Sequence, residues 1–340
     1  MKKILVTGGL GYIGSHTVVE LQNSGFEVII IDNLSNSSLN VLEGITSITK
    51  KPPIFERLDL RIKADVIDFF HRHEQIAGVI HFAASKAVGE SVEQPLHYYE
   101  NNISTLIYLL QECKAHGIHN VIFSSSCTVY GEPDRLPITE EAPVKKATSP
   151  YGNTKQISEE IIEDTCEVDP QLKCIALRYF NPIGAHHSAM IGELPVGVPQ
   201  NLVPFITQTA AGVRKELSVF GNDYETSDGS CIRDYIHVVD LAKAHVVALE
   251  RLLQNNNTSN FEIFNVGTGK GTSVLEVVKA FETVSGTKLP YKVVERRPGD
   301  VVSVYADTTK ANEILGWKAE RSMEDALSSA WKWEQHIRNI

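Results

Sequence analysis

The sequence predicts an α/β fold with a doubly wound parallel sheet and a smaller mixed α/β domain. Three observations predict it. Short apolar runs alternate with helical patterns, a glycine-rich turn joins the first run to the first helix, and loop-like sequence follows residue 180. Alternating strands and helices are typical of parallel sheets that bind ligands at the carboxyl ends of their strands. We therefore expect a binding site where those ends meet.

The first apolar run, residues 4–6, leads directly into a glycine turn and then into a helical pattern over residues 15–24. Gly8, Gly11 and Gly14 recur at every third position. Such a turn brings the backbone close to a pyrophosphate, and the helix N-terminus that follows favours an anion. Because this turn lies between a strand and a helix, as its mechanism requires, the sequence predicts a dinucleotide site.

The second strand, residues 27–31, ends at Asp32, which lies 18 residues beyond Gly14. A carboxylate at this spacing accepts hydrogen bonds from the adenosine ribose and repels a 2′-phosphate. We therefore expect NAD rather than NADP. The alternative is that Asp32 only caps a turn.

Further strands are predicted at residues 54–56, 78–84 and 120–126, with helices between them. Two of these strands end in small residues, at 82–86 and at 124–126, which leaves room for a flat ring. Ser126 could share a hydrogen bond with a reacting oxygen. Alternatively, the three serines only form a polar strand end.

Tyr151 and Lys155 lie four residues apart after Pro150, a residue that suits the first turn of a helix. On a helix, positions i and i+4 share one face, so the two side chains would project into the same space. An ammonium near a phenol lowers the pKa of the phenol, which can then act as a general base. A surface helix without chemistry is the alternative.

Composition excludes several classes of protein. The chain has 340 residues, of which 42% are hydrophobic, so it can form one large domain or two smaller ones. A net charge of −10 argues against nucleic acid as a partner, and no segment is long and apolar enough to span a membrane. The five cysteines and the His186-His187 pair lack metal-site spacing, so we expect free thiols, no metal and a cytoplasmic location.

These motifs together resemble the extended short-chain dehydrogenase/reductase family, with its Rossmann-type domain, and most closely its UDP-glucose 4-epimerase branch. The resemblance covers nearly the whole chain and rests on residues 7–17, 86–91, 124–131, 151–155, 178–182, 220–224 and 233–237. It implies an isomerase of galactose metabolism that interconverts UDP-galactose and UDP-glucose through transient oxidation at C4 by bound NAD. Tyr151 would take the proton from the sugar O4, Ser126 would bind the same oxygen, and Lys155 would lower the Tyr151 pKa and bind the nicotinamide ribose.

The resemblance also implies two sets of binding residues. The expected NAD site contains Gly8, Gly11, Tyr12, Ile13, Gly14, Asp32, Asn33, Asn36, Ser37, Asp59, Leu60, Phe82, Ala83, Ala84, Lys86, Asn101, Ser126, Tyr151, Lys155 and Phe180. The expected substrate site contains Ser126, Tyr151, Asn181, Asn201, Leu202, Ser218, Val219, Phe220, Arg233, Arg297, Asp300 and Val304. The two arginines would bind phosphate, because a guanidinium matches phosphate oxygens in a fork; alone, each could be a solvated surface charge.

We expect residues 1–180 to form the NAD-binding domain, with returning segments from about 231–266. The nucleotide-sugar domain would contain residues 181–230 and 267–340. Helices within 96–114 and 156–167 lie where this family builds a homodimer through a four-helix bundle.

Three alternatives remain open. A nucleotide-sugar 4,6-dehydratase would need an extra acid and base, and relatives with that activity carry an acidic pair where this chain has Cys127-Thr128. A non-catalytic NAD sensor would usually lack the Tyr151/Lys155 pair. A broader epimerase would also accept N-acetylated UDP-sugars, because Val304 stands where strict relatives carry tyrosine; Val304 could instead pack against a neighbouring loop.

Overall fold

The computed structural model describes residues 1–297 and 300–340. Its β-strands are β1 (Lys3–Thr7), β2 (Glu27–Asp32), β3 (Ile54–Arg57), β4 (Ile76–His81), β5 (Asn120–Ser124), β6 (Lys173–Tyr179), β7 (Asn181–Ile183), β8 (Leu217–Phe220), β9 (Ile232–His237), β10 (Phe261–Val266), β11 (Gly271–Ser273), β12 (Tyr291–Val294) and β13 (Ser303–Val304).

The α-helices are α1 (Tyr12–Asn23), α2 (Asn40–Thr49), α3 (Lys63–Arg72), α4 (Val88–Glu93), α5 (Pro95–Tyr99), α6 (Thr105–Ala115), α7 (Pro150–Val168), α8 (Leu202–Ala210), α9 (Val238–Leu253), α10 (Val274–Ser285) and α11 (Met323–Arg338). Short π-helical segments occupy Glu100–Ser104 and Ala311–Leu315, and a 3₁₀ turn occupies Cys127–Tyr130. Among the described residues, no helix combines the length and apolar character needed to cross a bilayer.

The large sheet has the strand order β10-β6-β5-β4-β1-β2-β3, and every neighbouring pair of strands is parallel. Helices cover both of its faces, so its strands are continuous apolar runs. Successive residues alternate between the two cores: Ile4 and Ile30 pack on one face, whereas Leu5 and Ile29 pack on the other. The predicted doubly wound parallel sheet is therefore confirmed.

A smaller set of strands lies beside this sheet. β9 is flanked by antiparallel β11 and parallel β13, β7 also pairs with β9, and β12 pairs with β8. Its separate core joins apolar residues of α8, α10 and α11, including Ile206, Phe281 and Leu327. The chain then crosses back, because β10 lies at the edge of the large sheet beside β6. This mixed sheet confirms the second, smaller α/β element of the predicted fold.

A cluster of buried histidines links the two parts. His16 lies on α1, His186 follows β7, and His237 caps α9 by accepting a hydrogen bond from Val239 N. Burial lowers the pKa of His16 to about 3 and those of His186 and His237 to about 4. His16 Nε2 is buried without a hydrogen-bond partner. These rings are therefore neutral in the folded chain at neutral pH.

Candidate active site

The glycine turn between β1 and α1 leaves its backbone open to a ligand. Gly8 has a φ of +68°, and a Cβ there would lie 2.8 Å from the Ala83 amide nitrogen. A Cβ on Gly14 would lie 2.3 Å from the Gly8 carbonyl oxygen, so only glycine lets the helix pack this closely. Gly11 is the N-cap of α1 and offers no side chain to the free amides. This cradle, at a helix N-terminus, fits the pyrophosphate of a dinucleotide.

Asp32 ends β2 beside this turn. Its carboxylate accepts hydrogen bonds from Leu10 N at 3.1 Å and from Ser37 Oγ at 2.7 Å. The carboxylate therefore lies next to the glycine turn, and it also caps the loop by accepting from Leu34 N at 2.9 Å. The two interpretations of Asp32 are compatible.

Asp59 follows β3 on the same edge of the sheet. Asn33 Nδ2 donates to its carboxylate at 3.2 Å, and Arg61 holds it through a fork of hydrogen bonds. Those bonds from Arg61 lower the Asp59 pKa to about 2. The rest of the expected NAD set on this side consists of Ile13 in the first turn of α1, exposed Asn36 after β2, and buried Leu60 after β3.

The end of β4 completes this side of the cleft with Phe82, Ala83 and Ala84. Ala83 N donates to Thr7 Oγ1 at 3.3 Å, and the Phe82 ring lies 4.7 Å from that of His245. Lys86 Nζ lies 5.9 Å from the centroid of the Tyr12 ring. Asn101 Nδ2 donates to Ser85 Oγ at 3.2 Å.

Helix α7 begins where the sequence predicts, and its start is capped. Ser149 Oγ accepts a hydrogen bond of 3.1 Å from Gly152 N, and Pro150 occupies the first turn. Tyr151 and Lys155 lie on the buried face of the helix, with Lys155 Nζ 5.9 Å from the centroid of the Tyr151 ring. The same ammonium donates to the Ser124 carbonyl oxygen at 2.7 Å, at the end of β5.

Ser126 joins this group from the strand side. It caps the 3₁₀ turn, accepting from Thr128 N at 3.2 Å and from Thr128 Oγ1 at 3.0 Å. The Ser126 side chain also interacts with Tyr151, whose pKa it lowers. The structure therefore brings the phenol, hydroxyl and ammonium groups together at the carboxyl end of β5, on the same edge of the parallel sheet as the glycine turn after β1.

The expected lowering of the Tyr151 pKa is wrong for the chain itself. Burial raises the pKa of Tyr151 and the nearby Tyr179 raises it further, whereas the Ser126 side chain opposes this rise. Burial also lowers the pKa of Lys155 to about 8, against the pull of Glu159. The physical reason is that desolvation disfavours both charged forms and exceeds the effect of their proximity.

Sequence reasoning missed the groups that support this cluster. Tyr179 Oη shares a hydrogen bond of 2.8 Å with Ser124 Oγ. Glu159, one turn beyond Lys155, forms a buried ion pair with Arg178, whose Nε lies 3.0 Å from Glu159 Oε1. Asn102 donates from Nδ2 to Thr154 Oγ1 at 3.0 Å on the other side of α7. Of these groups, only Glu159 could have been placed near Lys155 from the sequence, because the two residues are four positions apart on one helix.

The expected phosphate partners converge on one carboxylate. Asp300 Oδ1 lies 2.8 Å from Arg297 Nη2 and 3.4 Å from Arg233 Nη2. Arg297 also lies over the Phe220 ring, 5.6 Å from its centroid. Pro298 and Gly299, between these residues in the sequence, lie outside the described part of the chain.

The other expected substrate residues lie on neighbouring elements of the smaller part. Asn201 is the N-cap of α8 and Leu202 its first residue, Ser218 and Val219 lie on β8, and Asn181 begins β7. Val304 is 9% exposed and belongs to an apolar cluster with Phe180, Val129 and Ala306. Cys127 packs on the edge of that cluster, next to Ser126.

Comparisons with known proteins agree over the whole chain. A family model described as GDP-mannose 4,6 dehydratase matches residues 5–330. A UDP-glucose 4-epimerase from Bacillus subtilis is 50% identical over 331 residues, which are 97% of this chain and 96% of the relative.

Solved structures give the same result. A UDP-glucose 4-epimerase from Bifidobacterium longum, in complex with NAD+ and UDP, superimposes with a TM-score of 0.95 at 46% identity over 99% of each chain. A UDP-Glc/GlcNAc 4-epimerase from Campylobacter jejuni gives 0.84 at 36% identity, over 99% of this chain and 100% of its own. The glycine cradle, the Tyr151–Ser126–Lys155 group and these full-length similarities together show that the chain belongs to the UDP-glucose 4-epimerase family.

Proposed function

We propose that this protein is an NAD-dependent isomerase that interconverts UDP-galactose and UDP-glucose by transient oxidation at C4, in galactose metabolism. The observation that carries the proposal is the convergence of Tyr151, Ser126 and Lys155 at the edge of the parallel sheet that also holds the glycine turn. The epimerase relatives and their complexes with NAD+ and UDP support it.

The cradle of Gly8, Gly11 and Gly14 would hold the pyrophosphate of NAD, and Asp32 would bind the adenosine ribose. When bound, NAD supplies reversible hydride transfer at the sugar C4. Tyr151 would take the proton from O4 and later return it, with Ser126 bound to the same oxygen. The Lys155 ammonium would favour the phenolate and bind the nicotinamide ribose.

Epimerisation requires that the two faces of the sugar C4 face the cofactor one after the other. A firm anchor on the diphosphate and a loosely held hexose meet that requirement. Arg233 and Arg297 would provide the anchor, because both guanidinium groups point at one place and match phosphate oxygens in geometry. Asp300 would then take a ribose hydroxyl.

The dehydratase alternative receives little support from the site. Cys127 and Thr128, which follow Ser126, carry no carboxylate, and burial raises the Cys127 pKa to about 12. A neutral thiol is a poor replacement for the extra acid and base that dehydration across C5 and C6 needs. The NAD-sensor alternative leaves the intact Tyr151/Lys155 pair without a use.

A broader specificity that includes N-acetylated UDP-sugars is a second candidate. It is favoured by the small side chain of Val304, and the Campylobacter jejuni relative is described as a UDP-Glc/GlcNAc enzyme. Against it, Val304 packs in the Phe180 cluster, so its small size does not by itself open a pocket.

We also propose a cytoplasmic homodimer with two interleaved domains. Five free thiols support a reducing compartment. Exposed Val88, Val92 and Leu96, the last 81% exposed, lie on helices that pack against α7 and support an interface between two copies. The NAD domain would contain residues 1–180 and about 231–266, which include α9 and β10, and the substrate domain residues 181–230 and 267–340.

The test is incubation of purified protein with UDP-galactose and no added NAD. Formation of UDP-glucose is expected. A stable 4-keto-6-deoxy sugar would instead identify a dehydratase, and bound NAD without turnover would favour a sensor.

A further inference from the structure

A carboxylate outside the Tyr151 group bridges the two predicted ligand sites. Glu193 Oε1 accepts a hydrogen bond of 2.6 Å from Asn201 Nδ2, and the same oxygen lies 3.5 Å from Lys86 Nζ. Lys86 follows β4 on the cofactor side, whereas Asn201 caps α8 on the substrate side. The Glu193 side chain is only 12% exposed, whereas that of Lys86 is 48% exposed.

The position of Glu193 is set by a third element. Its carbonyl oxygen accepts a hydrogen bond of 2.9 Å from Trp333 Nε1, on α11. The preceding Gly192 packs directly against that indole, since a Cβ there would lie 2.5 Å from the ring. The backbone of this segment is therefore packed against α11, and the side chain reaches from there to Lys86 and Asn201.

The charges of Glu193 and Lys86 affect how the substrate site receives an anionic ligand. A carboxylate near a site that takes a diphosphate repels it, unless a cation neutralises the carboxylate. Lys86 is that cation, and it is itself predicted to contact the cofactor. A change at Lys86 therefore changes the charge that Asn201 and its ligand face.

We propose that Glu193 is a positioning residue that couples the cofactor site to the nucleotide-sugar site through Lys86 and Asn201. The proposal rests on the proposed function, because it takes those two residues as ligand-binding groups. Coupling of this kind is reciprocal, so each ligand changes the affinity of the other by the same factor.

A double-mutant cycle tests the coupling. UDP affinity is measured by calorimetry on NAD-saturated protein for wild type, Lys86→Met, Glu193→Gln and the double variant. Lys86→Met is expected to lower UDP affinity about fivefold, the lower end of typical coupling, because the Glu193 carboxylate then lacks a neutralising cation. Glu193→Gln keeps an acceptor for Asn201 and removes the charge. In that background, Lys86→Met should lower UDP affinity less than about twofold.

Steady-state kinetics with UDP-galactose give a second measurement. Glu193→Ala removes the acceptor for Asn201, so KM should rise about fivefold while kcat changes by less than about threefold, the pattern of lost uniform binding. Glu282→Ala is the matched control, because it makes the same change at a glutamate of α10 that pairs with Lys288, away from the site. Both KM and kcat should be unchanged in that control.

The outcomes separate the possible failures. If Lys86→Met lowers UDP affinity equally in the wild-type and Glu193→Gln backgrounds, Glu193 does not couple the sites and the proposal fails. A purely structural role would lower the melting temperature of Glu193→Gln without removing the Lys86→Met effect, and this result would also overturn it. UDP affinity is measurable without turnover, so failure of the proposed epimerase activity leaves the cycle interpretable.

Discussion

Lys155 Nζ donates a hydrogen bond of 2.7 Å to the Ser124 carbonyl oxygen while lying 5.9 Å from the centroid of the Tyr151 ring. The ammonium is therefore fixed by the backbone at the end of β5, not by the phenol. Burial disfavours the charged form of both side chains. Forming the phenolate in this site consequently costs more than in water.

Replacing Tyr151 by phenylalanine removes the proton acceptor and keeps the ring. We expect kcat for UDP-galactose to fall at least about a hundredfold, the usual scale for general acid–base catalysis. UDP affinity, measured by calorimetry, should be nearly intact. Tyr108→Phe, on α6, is the control; near-normal turnover of the Tyr151 variant would exclude it as the base.

Replacing Lys155 by alanine should reduce kcat as severely, because the only ammonium beside Tyr151 among the described residues is removed. We also expect NAD retention to fall, which is measured as the cofactor content of purified protein. If activity is lost and NAD stays saturating, Lys155 influences the tyrosine without holding the cofactor.

Asp32 should make NAD the cofactor carried by purified protein. Placing a 2′-phosphate against this carboxylate costs several kcal/mol without a compensating cation, and the sequence after Asp32 is Asn33-Leu34-Ser35-Asn36. Asp32→Ala should lower NAD affinity at least about tenfold and reduce the discrimination against NADP. Asp134→Ala, at an exposed ion pair, serves as control, and wild-type protein loaded mainly with NADP would contradict the prediction.

Val304 should permit measurable epimerisation of UDP-N-acetylglucosamine, because a hydrophobic pocket rejects an additional group poorly unless it clashes. Val304→Tyr should suppress that activity and spare UDP-galactose. Thermal melting must accompany the kinetics, since the side chain packs against the Phe180 cluster and a larger ring could strain it. Wild-type protein without any turnover of the acetylated sugar would show that Val304 is only a core residue.

The buried histidines predict a stability that falls in acid. His16 has a folded pKa of about 3, below the value of 6.5 for an ordinary histidine, so the unfolded chain binds more protons between these pH values. Stability therefore rises with pH across this window and is lost on acidification, by about 2 kcal/mol from His16 at pH 5. His16→Gln should reduce the loss between pH 7 and pH 5 in urea unfolding, whereas His71→Gln, at an exposed position, should not.

The sequence predicted the features that depend on local spacing. Gly8, Gly11, Gly14 and Asp32 lie within one strand–turn–helix–strand unit, so their relative positions follow from the chain alone. The same holds for Tyr151 and Lys155 on one helical face. Parallel strands then align at one edge, which is why Ser126 could be placed near them.

Features made by distant residues could not be predicted in this way. Glu193 meets Lys86 from 107 positions away and Trp333 from 140 positions away, and no periodicity relates such residues. The Tyr151 pKa depends on the burial produced by the whole fold, so the proximity of Lys155 alone gave the wrong direction.

The edge position of β10 also matters during synthesis. The ribosome delivers every other strand of the large sheet by residue 179, yet β10 follows only at residues 261–266. Until then β6 presents unpaired backbone groups at an open edge. The surface of α1 that α9 covers is exposed until residues 238–253 have been made. A nascent chain halted before Val238 would thus expose an unpaired strand edge and an apolar helix face to chaperones, and the time taken to translate residues 180–260 sets how long the strand edge stays unpaired.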